Sequence, residues 1–160
     1  MLQNSSPKGP HRSIAVRIIQ SSAALAAVGV TVLMLASCSV GGGDPKVLMG
    51  KSFTAQEATI SGVTTPLALG STLTLTFTED GISAKADCNT MFGSATLDGG
   101  TIALTTPLGM TMMACEQPLM DQDQWISDFL ESGPTWSLDG SMLTLTSGQD
   151  VIVLRDATSA

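Results

Sequence analysis

The sequence predicts one small, mainly β domain of the α+β class. We expect a curved antiparallel sheet or barrel-like structure of about eight short strands with one amphipathic helix. Three observations lead to this prediction. Short runs recur in which threonine alternates with leucine or another apolar residue, turns rich in glycine and aspartate separate them, and a single segment has helical periodicity.

The strands are expected after a leader, from residue 50 onward. The clearest is 72–77, where Leu73, Leu75 and Phe77 alternate with threonines, as is typical of a half-buried strand. The other expected strands are 50–55, 82–86, 93–97, 101–105, 135–138, 142–146 and 151–155. Because short strand–turn–strand units pair antiparallel, a parallel α/β sheet is excluded. The predicted core consists of Leu73, Leu75, Phe77, Ile102, Leu104, Ile126, Phe129, Leu143, Leu145, Ile152 and Leu154.

The helix is expected between Pro118 and Ser132. Leu119, Ile126 and Leu130 fall on one helical face, with Phe129 beside them. Proline suits the first turn of a helix, and Ser-Gly-Pro at 132–134 ends it. This amphipathic helix is expected to cover one face of the sheet or to fill one end of it.

Residues 1–37 have the composition of an export signal. A basic stretch precedes an apolar run from Ile18 to Ala36, and the run ends in Leu-Ala-Ser-Cys. This ending resembles the lipobox of bacterial lipoproteins, which implies cleavage before Cys38 and lipidation of that cysteine. The alternative, an uncleaved membrane anchor, is less favoured because Gln20 and neighbouring serines weaken the apolar span.

The expected domain organisation follows from that leader. It is a signal peptide at 1–37, the lipidated Cys38 with a flexible tether at 38–46, a folded domain at 47–156 and a tail at 157–160. The lipid would attach the protein to a membrane, facing outside the cytoplasm. Because Ser39 replaces the aspartate that often signals inner-membrane retention, we expect the outer membrane where one is present, and otherwise the outer face of the cell membrane.

With Cys38 acylated, Cys88 and Cys115 remain. An even number of cysteines in an oxidising compartment favours a disulfide. Such a bridge closes about 28 residues and stabilises the fold by roughly 3–4 kcal/mol. Two buried free thiols are the open alternative. A redox-active pair is less favoured, since no C-x-x-C spacing is present.

Charge and residue types exclude several functions. From Ser39 onward, four Lys and Arg stand against fourteen Asp and Glu, a net charge of −10, which argues against nucleic acid and anionic membrane surfaces as partners. The single histidine, His11, lies in the leader, and tyrosine is absent. Catalytic triads and ordinary zinc ligation therefore lack their imidazole. We expect no enzyme, no catalytic residues, no metal site and no cofactor.

A longer pattern runs through the domain. Its most specific pieces are Cys88-Asn89, the string Thr111-x-Met113-Ala114-Cys115 with Pro118, and the Leu-Thr-Leu-Thr strand at 143–146. With these residues the chain resembles the META domain family, which includes the bacterial heat-shock protein HslJ. The resemblance implies a curved antiparallel β-structure with one helix, often tethered in the bacterial envelope. Members are linked to stress or antibiotic tolerance, and no catalytic activity is established for the family.

The chain departs from the family pattern in three places. The family usually has glycine just before the Cys-Asn pair, where this chain has Asp87. A basic or larger polar residue commonly follows that pair, where this chain has Thr90. Tryptophan is usual in the first strand, where this chain has Phe53.

Four methionines near Cys115 are the first chemical candidates: Met110, Met112, Met113 and Met120. Thioethers are soft ligands that suit Cu(I). The favoured interpretation is that they are flexible core filler under the helix.

Polar and aromatic candidates are also interpreted as structural. Asp121, Asp123 and Asp128 could in principle supply paired carboxylates, but Asp121 and Asp123 point about 200° apart on a helix and do not converge. We therefore favour a solvated position for all three. Asn89 is expected to bond local backbone in a turn rather than a ligand. Trp125 and Trp136 are expected to pack between helix and sheet.

Two functions follow from these observations. The first is a non-enzymatic, lipid-anchored envelope protein of the HslJ type that acts as an interaction or stress- and antibiotic-tolerance module with an unknown envelope protein. The alternative is a β-barrel module that holds a small apolar ligand or lipid. The two are distinguished by four leucines, which either meet in a packed interior or line a void: Leu73, Leu75, Leu143 and Leu145.

Overall fold

The computed structural model describes residues 43–158, in which eleven strands and one α-helix form. The helix α1 spans Gln117–Glu131. The strands are β1 (Ser52–Ala55), β2 (Glu57–Ile60), β3 (Val63–Pro66), β4 (Leu73–Phe77), β5 (Gly81–Lys85), β6 (Thr90–Thr96), β7 (Ala103–Leu104), β8 (Gly109–Met110), β9 (Thr135–Asp139), β10 (Met142–Ser147) and β11 (Asp150–Asp156). The predicted signal peptide, Cys38 and most of the tether lie outside the described residues.

The strands form one curled antiparallel half-barrel sheet. Its path runs β3-β2-β11-β1-β4-β5-β6-β7, and every pairing along it is antiparallel. β10 pairs with β11 and β9, while β8 pairs with β6. A single bridge between Thr101 and Thr135 brings the β7 side of the sheet next to β9. The predicted fold class, a curved antiparallel sheet with one helix, is confirmed.

The strands differ from the prediction in number or length at three places. β2 and β3 form a hairpin whose second strand is exposed along its whole length, so it lacks the alternation that marks a half-buried strand. β8 is only two residues long. The expected strand at 101–105 shortens to β7, because Ile102 instead donates its N–H to Pro134 O at 2.9 Å.

The interior of the sheet is packed with apolar side chains. Of the eleven predicted core residues, ten are buried, and Leu104 is half-buried at the margin. Four leucines were expected to distinguish a packed interior from a ligand cavity. Each is no more than 2% exposed, and all belong to one packed cluster: Leu73, Leu75, Leu143 and Leu145. Phe53, which stands where the family usually has tryptophan, packs edge-on against Phe77 with ring centroids 6.0 Å apart.

Gly109 positions the strand that leads to the candidate site. A Cβ on this glycine would lie 2.7 Å from Cε2 of Phe92, so any larger residue would displace the aromatic ring. The missing side chain lets Phe92 lie across β8 while the two residues pair between β6 and β8. β8 is thereby held against β6, and the chain continues from Met110 towards α1.

No helix within residues 43–158 combines the length and the apolar character needed to cross a bilayer.

Candidate functional site

A surface groove of about 610 Å³ lies where the end of β8, the loop before β6 and the first half of α1 meet. We call it the methionine groove. It is lined by Asn89, Met110, Thr111, Met112, Met113, Ala114, Met120, Asp123 and Gln124. Four of the five predicted family-motif residues line it, and Pro118 lies in the first turn of α1 below it.

Asn89 connects three segments at the floor of the groove. Its backbone N and its Nδ2 both donate to Asp123 Oδ2, at 3.0 and 2.9 Å. Its Oδ1 accepts from Thr111 Oγ1 at 3.0 Å and from Met113 N at 2.8 Å. The expected local turn is therefore wrong, because the partners lie 22 to 34 residues away in the chain. The amide instead joins the loop before β6 to the groove wall and to α1.

Asp123 is the other half of this polar contact. Its side chain is 2% exposed, so the expected solvated position is wrong for Asp123, although Asp121 and Asp128 are exposed as predicted. Asp123 Oδ2 takes both Asn89 donors, and Oδ1 has no hydrogen-bond partner. Among residues 43–158 it is the one buried side-chain oxygen or nitrogen without a partner.

The sequence contained a signal for this burial that the charge argument missed. Asp123 lies four residues after Leu119, three before Ile126 and seven before Leu130. These intervals put the acid within the apolar stripe of the helix. An acid in that stripe is buried by the same packing that buries its apolar neighbours, so it needs a partner on the sheet.

The neighbouring Gln122 is buried as well, but each of its two side-chain polar atoms has a hydrogen-bond partner. Its Oε1 accepts from Ala68 N at 2.6 Å, and its Nε2 donates to Ser71 Oγ at 2.8 Å. Gln122 therefore attaches α1 to the loop before β4, whereas Asp123 attaches the helix to the loop before β6. Two adjacent polar side chains thus fix the helix on two sides.

The predicted disulfide between Cys88 and Cys115 is present, with Cα atoms 6.0 Å apart. The free-thiol alternative is therefore wrong. The bond joins the residue before Asn89 to the segment that enters α1 two residues later. It closes a loop that costs the unfolded chain roughly 3–4 kcal/mol in entropy. The groove floor is thus held by a covalent bond as well as by the Asn89 network.

The methionines of the groove are largely on the surface, so their expected role as core filler is wrong for three of the four. Met112 is 97% exposed, Met113 60% and Met120 41%, while Met110 is half-buried against the core. In the described part of the chain, no group of three or more His, Cys, Asp or Glu side chains is arranged to hold a metal ion. The groove therefore presents thioethers around a buried carboxyl.

Both tryptophans are at least half-buried, as expected for packing rather than for ligand stacking. Trp136 is 2% exposed, and its Nε1 donates to Leu97 O at 3.1 Å. Trp125 is half-buried on α1, with its ring centroid 5.6 Å from that of Phe129. Neither forms an exposed aromatic pair for ligand stacking, and both lie outside the methionine groove.

A second buried acid, Asp156, lies at the end of β11. Its Oδ1 accepts from Thr158 Oγ1 at 2.6 Å and from Thr158 N at 2.9 Å. Its Oδ2 lies 4.0 Å from Lys51 Nζ. The Thr158 hydroxyl, then its amide, and to a smaller extent the Lys51 charge lower the pKa of Asp156.

Comparison with known proteins gives a family and a fold. A family model described as the META domain matches residues 46–159. An NMR structure is 24% identical over 71% of this chain and 94% of its own, with a TM-score of 0.56. An NMR structure of a protein from Burkholderia xenovorans is 21% identical over 71% of this chain and 86% of its own, with a TM-score of 0.59. At these identities the likeness shows the fold alone. No curated protein matches.

Proposed function

This chain belongs to the META domain family, and from that premise we propose that it is a non-enzymatic, lipid-anchored protein of the bacterial cell envelope. In this proposal the folded domain acts by binding a protein partner in the methionine groove. The proposed role is that of an HslJ-type module for stress or antibiotic tolerance. The family resemblance supports that role, and the lipobox at Leu35–Cys38 supports the anchor.

The observation that carries the proposal is the exposure of the methionines around an ordered floor. Soluble domains rarely leave neighbouring large apolar side chains in water unless they contact a partner. Methionine is suited to such surfaces because its flexible, polarisable side chain adapts to the partner's shape. The floor beneath is fixed by the Asn89 network and the disulfide. A rigid floor with an adaptable wall is typical of a binding surface.

The alternative of a small apolar ligand inside the sheet is not favoured. The leucines that would line such a site are buried against one another in the core cluster. The polar chemistry and the exposed apolar side chains lie outside the sheet, at the groove. We therefore place the proposed binding function on the surface.

Anchoring is tested by metabolic labelling of bacteria that express the full-length chain, with an alkyne analogue of palmitate. We expect label on the wild-type protein and its recovery in the membrane fraction. Cys38→Ser is the matched control and should lose both. Label that persists in the variant, or an unlabelled wild type, would contradict the anchor.

Binding at the groove is tested by photo-cross-linking in the same cells. A photoreactive amino acid replaces Met112 in one variant and Val153, which is 44% exposed on the sheet, in the control. We expect a defined adduct from position 112 that position 153 does not give. Equal adducts from both positions, or none from 112, would refute the groove as the binding surface. A hydrolase activity abolished by one Asp or Ser substitution would refute the non-enzymatic role.

A further inference from the structure

We propose that the methionine groove binds an extended segment of the partner protein through one lysine side chain. The ammonium group donates to Asp123 Oδ1, and the methylene stem lies against the methionines. This inference rests on the proposed function and names the chemistry of the partner. It is carried by five observations on the described residues, taken in turn below.

The first observation is the incomplete bonding of Asp123. A buried carboxyl oxygen without a donor is costly, and native structures contain few of them. Asp123 lines the groove, and its Oδ1 is the unpartnered atom. The salt bridge found among residues 43–158 joins Lys51 to Asp156, away from the groove. The missing partner is therefore a donor, and a cationic donor offsets the charge as well.

The second observation is that another acid with the same arrangement has a lysine ammonium group at ion-pair distance. Asp156 and Asp123 each accept two hydrogen bonds at one oxygen from the backbone N and side chain of a single residue. At Asp156 the second oxygen faces Lys51 Nζ at 4.0 Å. At Asp123 the second oxygen faces no cation among residues 43–158. An incoming ammonium group would make the two sites equivalent.

The third observation selects lysine over arginine. Only one oxygen of Asp123 is free, because the other already takes both Asn89 donors. The planar guanidinium is best matched by two oxygens that accept in parallel, whereas an ammonium is a compact point donor. A single free oxygen beside the methionine side chains therefore suits lysine.

The fourth observation is the wall of the groove. Four methionines line it, and three of them are 41% to 97% exposed. The unbranched methionine side chain changes rotamer readily, so the wall can move aside to expose Oδ1. A lysine stem of four methylenes packs along apolar surface while its charged end reaches a polar atom.

The fifth observation concerns the backbone at the rim. Thr111 N donates to Thr90 O at 3.0 Å, so the segment after β8 continues its pairing with β6. In an antiparallel pair the next residue turns its N–H and C=O to the opposite edge. That residue is Met112, whose backbone makes no hydrogen bond among those of residues 43–158. An extended peptide can add to such an edge, and the net charge of −10 from Ser39 onward favours a cationic one.

The test uses four short, end-capped extended peptides of alternating threonine and valine that differ only at a central residue. That residue is lysine, Nε-acetyllysine, norleucine or arginine. The chain is expressed at full length, exported, and purified in mild detergent with ¹³C-methyl methionine. Titrations are followed by NMR, with Met49 and Met142, which lie outside the groove, as internal references.

We expect the lysine peptide to shift the methyl signals of Met112 and Met113 but not the references. Its affinity should exceed that of the acetyllysine and norleucine peptides by about tenfold or more. Norleucine has no donor, and the amide N–H of acetyllysine carries no positive charge. The arginine peptide should bind more weakly than the lysine peptide. Asp123→Asn should abolish the lysine preference, since Asn89 keeps an acceptor and the free atom becomes a donor. Met112→Ser, at a surface position that folding does not need, should weaken all four peptides.

Equal affinities for the lysine and acetyllysine peptides would overturn the inference, as would stronger binding of arginine. Shifts that depend on protein concentration without peptide would assign the groove to a second copy of the chain and overturn it too. If cross-linking at position 112 succeeds while lysine is not preferred, this inference fails and the proposed function stands. If lysine is preferred but no adduct forms in cells, the proposed function fails.

Discussion

Two buried acids in this small domain have the same local arrangement and different outcomes. Asp156, at the end of β11, and Asp123, on α1, each receive two hydrogen bonds at one oxygen from a neighbouring residue. Lys51 faces the second oxygen of Asp156, whereas the second oxygen of Asp123 has no partner. Asp156 therefore contributes to the fold, since both of its oxygens have partners within the chain. Asp123 stays incomplete beside exposed methionines, which is why we assign binding to its surroundings.

The comparison separates two roles for a buried polar side chain. Gln122, next to Asp123, has a partner within the chain for both its Oε1 and its Nε2 and serves to position α1. A fully matched group adds specificity to the fold, while a partly matched one is destabilising unless something else matches it. Gln122 therefore has a partner within the chain for each polar atom, whereas Asp123 leaves one oxygen open for the partner that we propose.

The largest expected effect comes from removing the disulfide beside the Asn89–Asp123 contact. No such bond lies beside Asp156 in the described part of the chain. Replacing both residues, Cys88→Ala with Cys115→Ala, should lower the free energy of unfolding by about 3–4 kcal/mol, because the unfolded chain regains loop entropy. Denaturant unfolding followed by tryptophan fluorescence measures this loss. Reductant should destabilise the wild type and leave the variant unchanged; a variant as stable as the oxidised wild type would contradict the prediction.

A smaller but still large effect is expected from Asn89→Ala. The change removes one of the two donors to Asp123 Oδ2, so that only the backbone N–H of residue 89 remains. It also removes the acceptor of Thr111 and Met113. We expect a loss of about 3 kcal/mol in the free energy of unfolding. Thr158→Ala is the matched control, since it removes the equivalent side-chain donor from the less enclosed Asp156 and should cost less. Equal losses in thermal or denaturant unfolding would remove the distinction between the two acids.

The smallest effect is a pH dependence at Asp156. Its pKa in the folded protein is lowered, chiefly by the Thr158 hydrogen bonds. At pH values above the usual carboxyl pKa of about 4, the interaction therefore stabilises the fold. This stabilisation is lost as the pH falls through the lowered pKa. Unfolding followed between neutral and acidic pH should show a shallower acid loss in Thr158→Ala than in the wild type. Lys51→Met should reduce the acid-induced loss of stability by less than Thr158→Ala does. Parallel curves of stability against pH for all three proteins would disprove the assignment of this loss to Asp156.

The fold was predictable because apolar and polar residues alternate along most of its strands. Leu73, Leu75 and Phe77 face inward at every second position, and the pairing and burial follow from that spacing. β3 was not predictable in this way, since it is exposed along its length and has no buried face to impose a pattern. Two-residue strands such as β8 are defined by their neighbours rather than by their own residues.

The site was less predictable than the fold. The cysteine pairing followed from counting and compartment, but the partners of Asn89 lie up to 34 residues away and are set by how the helix docks. Asp123 was assigned to solvent because it is charged, although its spacing from Ile126 and Leu130 placed it in the apolar stripe. Methionine in an apolar run was assigned to the core, and only tertiary structure shows that Met112 is exposed.

Asp87 has a consequence for the unfolded chain. It has φ of +70°, in the left-handed region, at the position where the family usually has glycine. Its Oδ2 accepts from Thr72 N at 3.2 Å, which offsets part of the conformational cost. Aspartate also visits fewer backbone states than glycine when the chain is denatured, so less entropy is lost on folding. The turn that presents Cys88 and Asn89 therefore combines a strained native conformation with a denatured ensemble that is already restricted.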